Sequence, residues 1–123
     1  MLRALIVDDS RFVRKHLRGM LEREGMECEE AADGLAGLEC LHAGARFDFA
    51  LVDWNMPVMD GVEMVRRMRA DGYLDVKVMM VTTEGASNSI LLALEAGADE
   101  YLMKPFEAEA LVEKLQLLGV EEG

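Results

Sequence analysis

The chain has 123 residues, 51% of them hydrophobic and 30% charged, and its 24 acidic and 13 basic side chains leave a formal charge of −11. That length suits one domain over 1–123 with a single core, in a globular rather than a disordered chain. The negative field repels phosphate backbones, which argues against direct nucleic-acid binding and favours cations and basic partner surfaces.

No apolar run approaches the length of a membrane span, so no membrane insertion is expected. Segment 2–7 is too short for an export signal and is followed at once by Asp8-Asp9. Cys28 and Cys40 match neither a disulfide framework nor a metal motif. They fit small, buried or half-buried hydrophobes in a reducing compartment, and a cytoplasmic location is expected.

Segment 2–7 reads as a first strand, closed by Asp8-Asp9. Ser10 can cap a helix over 11–24, where Val13, His16, Leu17, Met20 and Leu21 recur at helical spacing and Gly25 supplies the stop. Segment 26–31 reads as a second strand, and its Glu27, Glu29 and Glu30 suit an edge, where charge discourages pairing with other molecules. Asp33-Gly34 opens a helix through Leu35, Leu38 and Leu41. Ala50, Leu51 and Val52 form a short apolar run that reads as a strand buried on both faces and ends at Asp53.

Asp60-Gly61-Val62-Glu63 has the form of a capping box and opens a helix with Val62, Val65 and Met68. A fourth strand over 76–82 leads through the loop 83–87 to a helix over 88–96, which Gly97 ends. A short fifth strand over 100–104 is broken by Pro105, and a last helix covers 106–118. Five strands alternating with five helices predict an α/β fold, a doubly wound parallel sheet with helices on both faces and right-handed crossovers. The flavodoxin-like strand order 2-1-3-4-5 is adopted from known sheets of this class rather than derived from the residues.

In such a sheet the carboxyl ends of the strands share one crevice. The residues there are Asp8 and Asp9, Asp53, Thr82 and Lys104. Taken singly, Asp53 also fits a turn opener, one of Asp8 and Asp9 a helix cap, Thr82 a β-branched strand residue and Lys104 a solvated strand end. Together they are more specific. Carboxylates about 4 Å apart repel by about 4 kcal/mol at an effective dielectric near 20. A cluster of three therefore suits a hard divalent cation such as Mg²⁺, which takes one or two carboxylates plus phosphate and water. With a metal, an ammonium and a hydroxyl beside it, Asp53 is placed as a nucleophile for phosphoryl transfer.

The segments Val7-Asp8-Asp9-Ser10, Asp53-Trp54-Asn55-Met56-Pro57, Met59-Asp60-Gly61, Val81-Thr82, Gly97-Ala98, Tyr101 and Lys104-Pro105-Phe106 closely resemble the receiver domain of bacterial two-component response regulators. The likeness runs from Leu2 to about Leu118 and is nearest to the stand-alone chemotaxis type. It implies that Asp53 accepts a phosphoryl group from a histidine kinase, and that Asp9, Asp53 and the Asn55 carbonyl hold Mg²⁺, with Asp8 acting through water. It implies a cis Lys104-Pro105 bond. It also implies a switch in which Thr82 moves toward the phosphoryl group and Tyr101 turns into the space left. The face of the fourth helix, fifth strand and fifth helix would then change shape for a downstream protein, a flagellar motor switch among the candidates, with the chain a monomer or weak dimer. Tyr101 as a plain half-buried strand aromatic is the competing reading. Asn55 and Glu84 would tune self-hydrolysis, which is expected to be fairly quick.

Two positions depart from the family's usual pattern. Thr83 stands where a smaller Ala or Gly is usual, and its bulk is expected to slow the access of phosphodonors. The run Ile90-Leu91-Leu92-Ala93-Leu94 is apolar almost all round, so part of it should face solvent. Exposed leucine or isoleucine there would bind a partner or a second copy, a role that Ile90→Glu and Leu94→Glu would test. Ordinary core packing with one spare apolar residue is the alternative.

Two other functions compete. A Mg²⁺-dependent phosphatase with an aspartyl nucleophile wants a second Asp two residues on, as proton carrier, and Asn55 cannot serve. A binding module that keeps the fold without accepting phosphate is at odds with the full acidic set beside Thr82 and Lys104. Flavin binding is weaker still, because Asp8-Asp9-Ser10-Arg11 is acidic where a phosphate cradle needs glycine and free amides. His16 and His42 are read as structural.

Overall fold

Alternation of apolar strands with capped amphipathic helices produces the expected α/β sheet. The computed structural model describes residues 1–83 and 85–120; the hydrolysis-tuning role expected of Glu84 falls outside them. In chain order the elements are β1 (Arg3–Val7), α1 (Arg11–Arg23), β2 (Glu27–Ala31), α2 (Gly34–His42), β3 (Phe49–Val52), α3 (Gly61–Ala70), β4 (Lys77–Thr82), α4 (Ser87–Ala96), β5 (Glu100–Met103) and α5 (Ala108–Leu117). The five strands are parallel in the order β2-β1-β3-β4-β5. Boundaries read from the sequence agree to within a residue or two, the usual scatter at element ends.

The inner strands bury both faces. Leu5, Val7, Ala50, Val52, Val78 and Met80 pack under α2, α3 and α4, and the alternate residues Ala4, Ile6, Phe49, Leu51, Met79 and Val81 pack under α1 and α5. That is the period-2 alternation of a doubly covered sheet, and it explains why these strands are apolar throughout. Side-chain caps set three helix starts: Ser10 accepts from the Val13 amide, Asp33 from that of Ala36, and Asp60 from that of Glu63. Each such cap is worth about 1 kcal/mol. Neither Ala86 before α4 nor Glu107 before α5 offers a side-chain cap.

The structure departs from expectation at α1, adds partners to the acidic edge expected at β2, and shows in α4 the partial exposure expected there. His16 shares the helical repeat but is exposed, and its ring stacks at 6.3 Å on that of Phe12, itself 81% exposed. The buried face of α1 is Leu17, Met20 and Leu21, a narrower stripe than the repeat suggested. The acidic side chains of the edge strand β2 are not bare charges. Glu27 and Glu29 pair with Arg3, and Glu30 takes Arg14, Lys15 and Arg18 from α1. In α4, Ile90 packs against the core, whereas Leu91, Leu92 and Leu94 face solvent.

The end of the sheet away from Asp53 is closed by Arg69. Its guanidinium donates to the carbonyls of Tyr73, Val76 and Gly97 and to Asp99, joining α3 to the starts of β4 and β5. Among the described residues no helix is long and apolar enough to cross a membrane.

Candidate functional site

Strand register builds the site. Val7 is paired with Val52, Val52 with Met80, and Thr82 with Met103. Asp8, Asp53 and Lys104 each stand one residue past a strand, and Thr82 is the last residue of β4. The backbone ladder continues past the strand ends: Asp8 N–H donates to Ala31, Asp53 N–H to Val7 and Lys104 N–H to Thr82, at 2.9–3.1 Å. Parallel pairing thereby fixes four chemically active side chains at one end of the sheet.

The carboxylates of Asp8, Asp9 and Asp53 converge, with ligand oxygens all within 4.8 Å of one another. Asp8 is buried, Asp53 half-buried and Asp9 exposed, so the cluster opens to solvent on the Asp9 side. Lys104 Nζ lies 2.8 Å from Asp8 Oδ2 and 3.5 Å from Asp53 Oδ2. The other Asp8 oxygen accepts from the Ser10 amide, and Asp53 Oδ1 accepts from the Trp54 amide at 2.8 Å.

Burial pushes the Asp53 carboxyl above the ordinary carboxylate range; Lys104 opposes this, Asp8 adds to it, and hydrogen bonds from Thr82 and the Trp54 amide oppose it. Thr82 is fully buried and sits on the same sheet face as Met80 and Tyr101. Tyr101 is buried in that core, deeper than the half-buried aromatic weighed from sequence. Asn55 is exposed on the loop that Asp53 opens. The Lys104-Pro105 bond is cis. Exposed Thr83 lines a recess of about 330 Å³ with Val13, His16, Leu17, Lys104, Pro105 and Phe106.

Gly61 matters in a way its place in a capping motif did not reveal. A Cβ on it would lie 2.1 Å from the Asp53 carbonyl oxygen, and its N–H donates to the Trp54 carbonyl. Only glycine lets α3 start this close to the Asp53 backbone. Gly34 does the same farther along the loop, where a Cβ would meet the Met59 carbonyl at 2.7 Å. The sequence carried both glycines, but not the through-space approach each permits. Val58, between them, holds φ at 69°.

A family profile described as response regulator receiver domain matches residues 4–116. The chain belongs to the response regulator receiver family. Among relatives of this receiver, the chemotaxis protein CheY of Pseudomonas aeruginosa is 41% identical over 117 residues, 94% of each chain. The structure of Vibrio cholerae chemotaxis protein CheY4 superposes with a TM-score of 0.86 at 38% identity, covering 95% of this chain and 98% of that one. CheY in the CheX-CheY-BeF3-Mg²⁺ complex of Borrelia burgdorferi superposes with a TM-score of 0.89 at 25% identity, covering 98% and 90%.

The receiver's donor set fits a hard divalent cation. Three carboxylates converge on one point, and the ammonium of Lys104 already bridges two of them as a cation would.

Proposed function

We propose that this receiver is a single phosphorylation-activated domain of the chemotaxis type, spanning 1–123, that takes a phosphoryl group on Asp53 from a histidine kinase. The observation that carries the reading is the ammonium of Lys104 set against Asp8 and Asp53 inside a three-carboxylate cluster. An Asp53 carboxylate oxygen attacks phosphorus, an O–P bond forms, and the donor's N–P bond breaks. The electron pair of that bond returns to the donor imidazole, which leaves neutral because its other nitrogen carries the proton.

Lys104 turns from the carboxylates to the incoming phosphoryl oxygens, and the Thr82 hydroxyl follows. The carboxylates of Asp9 and Asp53 and the Asn55 carbonyl would hold Mg²⁺, with Asp8 reaching it through water; when bound, the metal supplies positive charge for those oxygens. The Mg²⁺ and BeF3 of the Borrelia burgdorferi complex support this assignment. Movement of Thr82 opens space for Tyr101 on the shared sheet face, and the α4–β5–α5 surface changes with it. That surface exposes Leu91, Leu92, Leu94 and Met103. Its target is a protein, the flagellar motor switch in the chemotaxis reading, and the domain acts in the cytoplasm as a monomer or weak dimer. Asn55 tunes a fairly quick self-hydrolysis, a role the family likeness also gives to residue 84. The receiver assists these two reactions on itself and turns over no other substrate.

Acetyl phosphate with Mg²⁺ should label the wild type to at most one phosphoryl per chain and leave Asp53→Asn unlabelled. An unlabelled wild type would leave a binding module; steady release of phosphate from an added monoester would leave a phosphatase.

A further inference from the structure

Asp8 is 2% exposed, and the structure engages each of its polar groups. Its amide donates to Ala31, one carboxylate oxygen takes the Ser10 amide and the other takes Lys104. Its carbonyl oxygen accepts from the Arg14 guanidinium at 2.7 Å. The opposite edge of that guanidinium is held by Glu30 of β2 at 3.1 Å, with both side chains largely buried. Glu30 in turn accepts from Lys15 at 2.9 Å and Arg18 at 2.7 Å. Burial alone would raise the Glu30 carboxyl, yet hydrogen bonds from Lys15, Arg18 and Arg14 hold it at about 2.

The Asp8 carbonyl lies in the same rigid plane as the Asp9 amide. Fixing that oxygen fixes the plane, and with it the direction in which Asp9 leaves the chain. Asp9 is the exposed member of the carboxylate cluster, with little packing of its own to aim it.

We infer that Arg14, braced by Glu30, is a positioning residue that orients the Asp8-Asp9 peptide and so sets the cation affinity of the carboxylate cluster. The inference rests on the proposed metal site and adds to it a support that runs from the edge strand through α1 to the first strand end. Two effects of Arg14 oppose each other. Its positive charge repels a cation, whereas its planar fork holds the peptide in place, and the inference is that the fork wins. Lysine keeps the charge but donates from a single nitrogen and cannot span Glu30 and the carbonyl as the fork does.

Calorimetric titration of MgCl₂ into metal-free protein tests this, with urea unfolding in EDTA run on each variant. Arg14→Met should weaken the Kd by about 10-fold, the lower end for loss of a group that orients a metal ligand. Arg14→Lys should also weaken it, and Glu30→Gln should fall between wild type and Arg14→Met. Arg18→Met removes another partner of Glu30 without touching Asp8, so it should lower stability and leave the Kd at the wild-type value.

A folded Arg14→Met with unchanged or tighter Mg²⁺ binding overturns the inference, as does equal weakening by Arg14→Met and Arg18→Met. If Arg14→Met does not fold, Arg14→Lys and Glu30→Gln decide in the same way. Absence of Mg²⁺ binding in the wild type would instead sink the metal site itself, separately from any question about Arg14.

Discussion

Removing the ammonium of Lys104 tests the electrostatics of the site most sharply. At an effective dielectric near 20, each pair of carboxylates within 4.8 Å costs at least about 3.5 kcal/mol. On the same scale Lys104 recovers about 6 kcal/mol against Asp8 at 2.8 Å and about 5 kcal/mol against Asp53 at 3.5 Å. Three repulsions and two attractions are thus of the same order, and one side chain supplies both attractions. Lys104→Met leaves the repulsion standing, although proton uptake, counterions and water limit how much of it is measured. The loss expected on breaking a largely buried pair is about 3 kcal/mol, or about 10 °C in Tm for a chain of this size.

Urea unfolding in EDTA, followed by the fluorescence of the single tryptophan, Trp54, measures it. Mg²⁺ should then restore more stability to Lys104→Met than it adds to the wild type, because the metal takes over the missing charge. An unchanged or higher midpoint for Lys104→Met in EDTA would refute the reasoning. It would mean that the three carboxylates do not repel on the scale worked here.

Asp53→Asn should be more stable than wild type at neutral pH without metal. Burial raises the folded-state value of the Asp53 carboxyl above its unfolded one, so the ionised form costs stability that protonation restores. The gap between the two proteins should close as pH falls through the raised folded value toward about 3.9 and stay closed below it, and a gap that widens on acidification in urea melts would contradict this. Glu30 works in the opposite sense: its folded value of about 2 lies below the unfolded one, so its stabilisation is present above about 4.5 and is lost as pH falls toward 2. Glu30→Gln should therefore cost on the order of 2 kcal/mol at neutral pH, after allowing for solvent screening, and nothing near pH 2, as read by denaturation across that range. Gly61→Ala should lose about 3 kcal/mol by thermal melting and label poorly with acetyl phosphate, because its methyl group meets the Asp53 carbonyl. Wild-type labelling in Gly61→Ala would show that this close approach is not needed.

The site was readable in the sequence for a specific physical reason. A parallel sheet puts every strand's carboxyl end on one side, so finding where four apolar runs stop was enough to bring together residues as far apart as Asp8 and Lys104. Local spacing found the caps Ser10 and Asp60 and placed Asp33 at the turn into α2, where it proves to be the cap, since a cap is a local event. What escaped is what depends on the angle between elements. His16 obeys the α1 repeat, yet the stripe that α1 buries is too narrow to include it. The acids of β2 read as edge charges because their partners, Arg14, Lys15 and Arg18, lie on another element whose facing side no spacing reveals. In α4 helical spacing singled out Ile90 and Leu94 for exposure, but Ile90 packs on the core, and Leu91 and Leu92 face solvent along with Leu94.

The most direct measurement is chemical trapping of the acyl phosphate. After treatment with acetyl phosphate and Mg²⁺, borohydride reduces an aspartyl phosphate to homoserine, and peptide mass spectrometry locates the change. Conversion at residue 53 alone, abolished by EDTA, is the result predicted. Homoserine at residue 8 or 9 instead, or at no position, would contradict the assignment of Asp53 as the nucleophile.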